Sequence, residues 1–287
     1  MTLEECRQFY AEEVRLAASV RSPALIEAFA RVPRERYLGP GPWKIASPDM
    51  GMGGVTYIAT EDADPRRIHH NVVVALDASR HLTNGQPGTL ACWIDTLDLR
   101  PGEKVFHLGC GVGYYTAIIA EVVGATGQVV GSEVDPALAA RAKENLAAYP
   151  NVDVHTGDGA QFDPGFRDAM LINAGVTHPH PAWLARLRDG GRMILPLTVA
   201  MGPQWGPTLG RGLMVMITRG GGSFSARVVT PVGIYSCASV RDPRLEPMLV
   251  TALTTGTLLR MKSVRLDAHE PAESCVLHGE GVCLTTA

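Results

Sequence analysis

Val105-Phe106-His107-Leu108-Gly109-Cys110-Gly111-Val112-Gly113-Tyr114-Tyr115 is the stretch that decides the fold. A short apolar run ends in three glycines at alternate positions, and a helix-like segment follows. Twenty residues after Gly113, the apolar run 128–132 delivers an acid, Glu133, and a further twenty-five residues on stands Asp158 within Gly157-Asp158-Gly159. Strand, glycine turn, helix, strand and acid, in that order, is how a doubly wound α/β sheet holds a ribonucleoside. The glycines let the backbone approach the ligand, and the acid accepts from the ribose hydroxyls.

The dinucleotide fingerprint G-x-G-x-x-G needs a third glycine beside a pyrophosphate seated on the helix N-terminus. Counted from Gly109 or Gly111, that position holds Tyr114 or Thr116. The turn is G-x-G-x-G instead, which suits a ligand without a pyrophosphate. S-adenosylmethionine, adenosine with a methionine arm, is such a ligand and is the expected cofactor. Glu133 would take the ribose hydroxyls and Asp158 would accept from the adenine amino group.

Outward from the turn, the pattern alternates. Strands are expected at 104–108, 128–133, 152–156, 169–173 and 192–197, and helices at 115–123, 136–148 and 181–187. This is a βαβ series with a mostly parallel sheet. Segments 213–218 and 224–229, joined by Gly220-Gly221-Gly222, read as a hairpin. Upstream, residues 2–30 read as helix with a second start at Ser22-Pro23, 71–78 as a strand and 88–97 as a helix. Residues 38–64 are too rich in Gly and Pro for one regular element. Past residue 236, a helix at 245–254 and strands at 263–267 and 275–284 form an extension without motifs. The expected division is 1–80 as an N-terminal helical and loop segment capping the substrate, 81–236 as the catalytic domain, and 237–287 as the extension.

The 287 residues carry a net charge of −3 and 46% hydrophobic side chains, enough for a sizeable core and against a nucleic-acid partner. The nearest thing to a basic run is Arg66-Arg67. No apolar stretch reaches membrane-spanning length, and Glu4, Glu5 and Arg7 are unlike a signal peptide, so a cytoplasmic protein without a membrane partner is expected. Cys6, Cys92, Cys110, Cys237, Cys275 and Cys283 are scattered without a C-x-x-C pair. Neither zinc spacing nor a disulfide framework is read from them, and no metal is expected.

The glycine run, the Gly157-Asp158-Gly159 step and the later Leu187-Arg188-Asp189-Gly190-Gly191-Arg192-Met193-Ile194-Leu195-Pro196 resemble the protein-L-isoaspartate O-methyltransferase family. The motif order is matched over about residues 25–236, and Ala28-Phe29-Ala30-Arg31-Val32-Pro33-Arg34-Glu35 is similar to the family's N-terminal signature. The resemblance implies a Rossmann-like methyltransferase sheet with an N-terminal helical segment, a C-terminal α+β extension and S-adenosylmethionine as donor. It puts Gly109, Gly111 and Gly113, with Tyr114, on the methionine arm, Glu133 on the ribose, and Asp158 with Gly159 at the adenine. Asn173, at the end of the fourth strand, joins the cofactor set.

Two departures bear on the acceptor. The family carries Ile-Ser-x-Pro upstream of the glycine turn, with its serine facing cofactor and substrate carboxylate. Here the element is Asn84-Gly85-Gln86-Pro87, and Gly85 stands where that serine would be. The loop Asn173-Ala174-Gly175-Val176-Thr177-His178-Pro179-His180-Pro181 carries two histidines that could serve as general bases. A carboxylate acceptor is already anionic, whereas a neutral carbon, nitrogen or phenol gains from a base. These differences point to a small-molecule natural-product acceptor, in particular indole C3 of a tryptophan-derived compound, with Trp43, Tyr57, Asn84 and Gln86 binding it. The alternative is carboxyl methylation of isoaspartyl protein or peptide. The partner classes are thus a small molecule or a peptide, with a homodimer left open.

Overall fold

Helix α1 (Leu3–Ala18) begins with a reciprocal capping box. The Thr2 hydroxyl accepts from Glu5 N–H while the Glu5 carboxylate accepts from Thr2 N–H. Helix α2 (Pro23–Arg31) has Ser22 as its cap and proline at its first position, the start expected from Ser22-Pro23. A single turn follows, α3 (Glu35–Leu38), then short strands β1 (Lys44–Ala46), β2 (Tyr57–Ala59), β3 (Ala75–Asp77) and β4 (Leu82–Thr83), and helix α4 (Pro87–Thr96). The alternating region runs β5 (Lys104–Leu108), α5 (Tyr114–Val123), β6 (Gln128–Glu133), α6 (Pro136–Asn145), β7 (Val152–Thr156), β8 (Arg167–Ile172) and α7 (Pro181–Arg186). Three long strands follow, β9 (Leu187–Ala200), β10 (Leu209–Gly220) and β11 (Ser223–Tyr235), and then α8 (Glu246–Thr254), β12 (Ser263–Arg265), β13 (Cys275–Gly279) and β14 (Val282–Thr285). This computed structural model describes residues 1–47, 55–202 and 208–287. Part of the Gly/Pro-rich region expected at 38–64 lies outside the described residues.

The chain forms two compact units. The first comprises Met1–Glu103 and Cys110–Thr156. Its sheet core is the parallel pair β6 and β7, from Val129↔Val152 to Glu133↔Thr156. Its helices meet in an aromatic cluster: Tyr10, Phe29, Tyr37 and Tyr114 pack edge to face at centroid separations of 5.4–6.3 Å. Each such buried ring contributes roughly 1.5–3 kcal/mol through removal from water, and edge-to-face contact adds to it. Arg34 is completely buried beneath them, and its guanidinium donates to the carbonyls of Ile68, His70 and Val72. The strand expected over 71–78 shrinks to the three residues of β3.

The second unit comprises Lys104–Gly109 and Gly157–Ala287. Its strand order is β13-β14-β12-β11-β10-β9-β8-β5, with β5, β8 and β9 parallel and the rest antiparallel. Strand β9 runs beyond the expected 192–197 because β10 pairs with it from Arg192 to Ala200. The hairpin of β10 and β11 is continuous from Leu209↔Tyr235 to Gly220↔Ser223, broken by one bulge between Met214 and Val215. The single strand expected over 275–284 is a hairpin, β13 and β14, turning at Gly281 with φ of +72°. Among the described residues no helix is long and apolar enough to cross a membrane.

Candidate active site

In the first unit the glycine turn is held by the acid read from the sequence. Glu133 ends β6 and is buried, and its carboxylate accepts from Gly111 N–H at 2.8 Å and from Asp135 N–H at 3.0 Å. One bond therefore goes to each carboxylate oxygen, leaving a further lone pair on each for a ligand hydroxyl. The two glycines here do different things. Gly113 has φ of +90°, and a Cβ there would come within 2.7 Å of Leu146 Cδ1, so it serves the packing of α5 on the segment after α6. Gly111 has φ of +56°, and a Cβ there would meet nothing within 4 Å. It borders open space.

Tyr114 does not turn its side chain to a ligand. It is fully buried and its hydroxyl shares a 3.2 Å hydrogen bond with Tyr10, so α5 is pinned to α1. The Cys110 thiol is also buried, and that burial, with Glu133 nearby, pushes its pKa far above the ordinary thiol value. An inert thiol at this place fits a backbone role.

In the second unit, β5 continues to Gly109, where a Cβ would lie 2.9 Å from the Asn173 carbonyl oxygen. Asn173 N–H donates to Leu108 O at 2.8 Å, and its side-chain Nδ2 reaches Gly109 O at 3.3 Å. Asn173 thus clamps the end of β5. After β7 the Asp158 carboxylate accepts from Ala160 N–H at 3.0 Å, and Gln161 Nε2 reaches it at 3.3 Å. Gly159 O accepts from the buried Trp183 indole at 3.3 Å.

The loop after β8 carries the two histidines. His178 Nδ1 is 2.9 Å from the Thr177 hydroxyl, which itself accepts from Asp242 N–H at 2.9 Å. With that oxygen already accepting, the hydroxyl proton is free to go to Nδ1. Burial lowers the His178 pKa, the nearby His180 lowers it further, and Asp242 opposes the shift. His180 packs against Trp183 at 5.3 Å, and its Nδ1 is buried without a hydrogen-bond partner. Burial lowers its pKa as well, against the pull of Asp158. Both imidazoles are therefore neutral at pH 7.

The residues expected at the acceptor lie in the first unit. Trp43 is buried in a small core with Leu38, Ile68 and Val74, its indole donating to Gly39 O at 3.0 Å. Tyr57 stacks on His81 with centroids 6.2 Å apart. Gln86 is exposed and reaches Asn71 O at 3.4 Å. Asn84 is buried, and its Nδ2 has no hydrogen-bond partner. Gly85 has φ of +72°, and a Cβ there would meet Leu90 Cδ2 at 2.9 Å. Sequence reasoning missed Arg34 altogether, since a lone arginine in a signature carries no sign of complete burial.

A family model described as protein-L-isoaspartate(D-aspartate) O-methyltransferase matches residues 10–205. This chain belongs to that family. It is 32% identical over 198 residues to the protein-L-isoaspartate O-methyltransferase of Aeropyrum pernix, covering 67% of each chain. It is 28% identical over 256 residues to protein-L-isoaspartate O-methyltransferase 1 of Rhodopseudomonas palustris, covering 86% of each. In fold it is similar to a solved protein-L-isoaspartate O-methyltransferase, with a TM-score of 0.60 at 20% identity, over 84% of this chain and 69% of that one. A beta-aspartate methyltransferase from Plasmodium falciparum, solved with S-adenosyl-L-homocysteine, gives 0.60 at 16% identity over 80% and 97%. The Rossmann-like fold follows from these likenesses. The family is one of S-adenosylmethionine-dependent methyltransferases, so the enzyme class and the cofactor read from the glycine turn stand.

The expectation of a small-molecule natural-product acceptor, indole C3 in particular, is overturned. The family model and these curated relatives all carry the isoaspartyl description. The features that pointed elsewhere have other physical causes. Gly85 occupies a left-handed backbone position hemmed by Leu90, and Trp43 belongs to a packed core.

Proposed function

We propose that this protein transfers a methyl group from S-adenosylmethionine to the free carboxylate of an isoaspartyl residue in a protein or peptide. The observation that carries this reading is the family match across residues 10–205. The cofactor supplies a sulfonium-bound methyl group, and the products are a methyl ester and S-adenosylhomocysteine. Transfer of this kind is an in-line displacement, so the protein's task is positioning rather than proton removal.

In this reading Gly111 gives the ligand room and Glu133 accepts from the ribose hydroxyls. Asp158 with Gly159 serves the adenine. The open space at Gly111 and the spare lone pairs on Glu133 support these roles. With glycine at 85, the family's serine hydroxyl is replaced by another donor. Asn84 Nδ2 is buried and unpartnered, a state that costs about 1–3 kcal/mol unless a ligand acceptor relieves it. A substrate carboxylate is such an acceptor.

The test is turnover on an isoaspartyl peptide beside its normal aspartyl counterpart, read as base-labile methyl ester. Ester on the isoaspartyl peptide alone is expected. Protein that binds S-adenosylhomocysteine by calorimetry yet esterifies neither peptide would overturn the reading. Asn84→Ala is expected to raise the peptide KM more than about fivefold while leaving S-adenosylhomocysteine affinity unchanged.

A further inference from the structure

The C-terminal hairpin gathers four side chains with metal-binding chemistry. One ligand atom from each of His269, Cys275, His278 and Cys283 lies within 4.8 Å of all the others. We propose that these four residues form a closed, tetrahedral Cys2His2 site for zinc that staples the loop before β13 to the β13–β14 hairpin. The cluster lies wholly within the second unit and beyond the stretch matched by the family model.

Strand register builds the cluster. His278 and Cys283 are directly paired across β13 and β14, which puts their side chains on one face. Cys275 is three residues before His278, and in a regular strand that spacing would put it on the opposite face. The register shifts between Cys275 and Leu277, so Cys275 pairs with Thr285 while Leu277 pairs with Leu284. The extra residue returns Cys275 to the face of His278 and Cys283. The other face carries Leu277 and Leu284, both buried. A bulge that spends a ladder position to align two sulfurs and an imidazole has a ligand as its simplest purpose.

Distances and hydrogen bonds agree with zinc. Cys275 Sγ lies 3.6 Å from His269 Nε2. With Zn–S near 2.3 Å and Zn–N near 2.0–2.1 Å, a tetrahedron has an S···N edge of about 3.6 Å. The widest pair, 4.8 Å, exceeds such edges by about an ångström, within the reach of side-chain rotation. His269 Nδ1 stands 2.9 Å from the Asp267 carbonyl oxygen, the outer bond that fixes a metal-ligating imidazole with Nε2 pointing inward. Ala272 N–H donates to Cys275 Sγ at 3.3 Å, a bond that supports a thiolate. His278 keeps a buried Nδ1 without a hydrogen-bond partner. Two sulfurs and two imidazoles select zinc over magnesium or calcium, and a full protein ligand set marks a structural site. Binding displaces the two thiol protons to solvent, with no change of oxidation state.

The full chain, reduced and stripped with chelator, is equilibrated with zinc and passed through gel filtration, and bound metal is measured by mass spectrometry. About one zinc per chain is expected to remain. Cobalt in its place should give tetrahedral ligand-field bands and a thiolate charge-transfer band. Cys275→Ser and His269→Gln should each weaken retention at least tenfold, roughly the scale of losing a ligand or its support. Cys92→Ser, outside the cluster, should retain zinc fully. Circular dichroism on each variant separates metal loss from unfolding. Less than about a tenth of an equivalent of zinc, an octahedral cobalt spectrum, or a Cys275–Cys283 disulfide persisting in reductant would each overturn the proposal.

Discussion

The glycine turn after β5 and the histidine loop after β8 both follow parallel strands, and they are built on different terms. In the turn, backbone geometry sets the chemistry. Gly111 borders open space, Gly113 admits Leu146, and Glu133 gives one lone pair from each oxygen to the backbone it holds. In the loop, the side chains carry the interest, yet their surroundings mute them. Burial lowers both imidazole pKa values, and His178 already meets the Thr177 hydroxyl. A residue type capable of acid–base work is therefore weaker evidence than a buried acid bonded to the backbone of the turn it follows. The overturned acceptor rested on these histidines together with Gly85 in place of the family's serine.

The largest effect should come from treating the two glycines alike. Gly113→Val puts a branched side chain at φ of +90° within 2.7 Å of Leu146, and an expected loss of about 3 kcal/mol or more should show in urea unfolding. Gly111→Val meets nothing within 4 Å and should cost the fold only about 1–2 kcal/mol of backbone strain. Its side chain fills that space, so S-adenosylhomocysteine affinity should fall more than about tenfold. Unchanged affinity in Gly111→Val would break the distinction between a packing glycine and a ligand glycine.

Glu133→Gln tests whether the acid holds the turn as well as the ligand. The amide presents an NH2 where one carboxylate oxygen now accepts, and either Gly111 N–H or Asp135 N–H then faces a donor. An affinity loss of about 1–3 kcal/mol by calorimetry is expected. An isoenergetic variant would remove Glu133 from the ribose.

The turn's helix also leans on the N-terminal segment, through Tyr114 to Tyr10 of α1. Farther along, Glu35 is held by Arg7 and lies 3.3 Å from His69. Burial alone would raise its pKa, but the close His69 imidazole, the backbone and Arg7 outweigh it and hold it at about 2, below the ordinary 4.5. A depressed carboxylate stabilises the fold fully above about 4.5, and that stability disappears as pH falls toward 2. Glu35→Gln should therefore cost about 2 kcal/mol at neutral pH, with the gap to wild type closing toward pH 2 in urea titrations. A gap that persists at low pH would make the loss one of packing rather than charge.

What was legible follows from range. Strands β5, β6 and β7 were read to the residue because each is a short β-prone segment bounded by turn residues. The start of α2 was written in Ser22-Pro23. Long-range packing was not legible. Nothing local announces that Gly113 answers to Leu146, or that Arg34 is buried and donates to the carbonyls of Ile68, His70 and Val72. The C-terminal cluster escaped for a related reason. No cysteine pair marks it, and its spacing is His269-x5-Cys275-x2-His278-x4-Cys283, mixed in type and aligned only by a bulge.

The smallest effect should come from the histidines, and it bears most directly on the acceptor. A carboxylate near pH 7 carries its own negative charge, so its methylation gives up no proton. His178 Nδ1 is already engaged with the Thr177 hydroxyl, whichever of the two donates. His180 does have a free buried Nδ1, yet an anionic acceptor offers it nothing to take. His178→Ala and His180→Ala should each leave kcat on isoaspartyl peptide within about threefold of wild type, since proton transfer by a positioned base is worth about 10²–10⁴. A hundredfold fall in either, with the fold and S-adenosylhomocysteine binding intact, would mean that the transferred methyl meets an acceptor that must lose a proton, and the carboxylate would no longer fit.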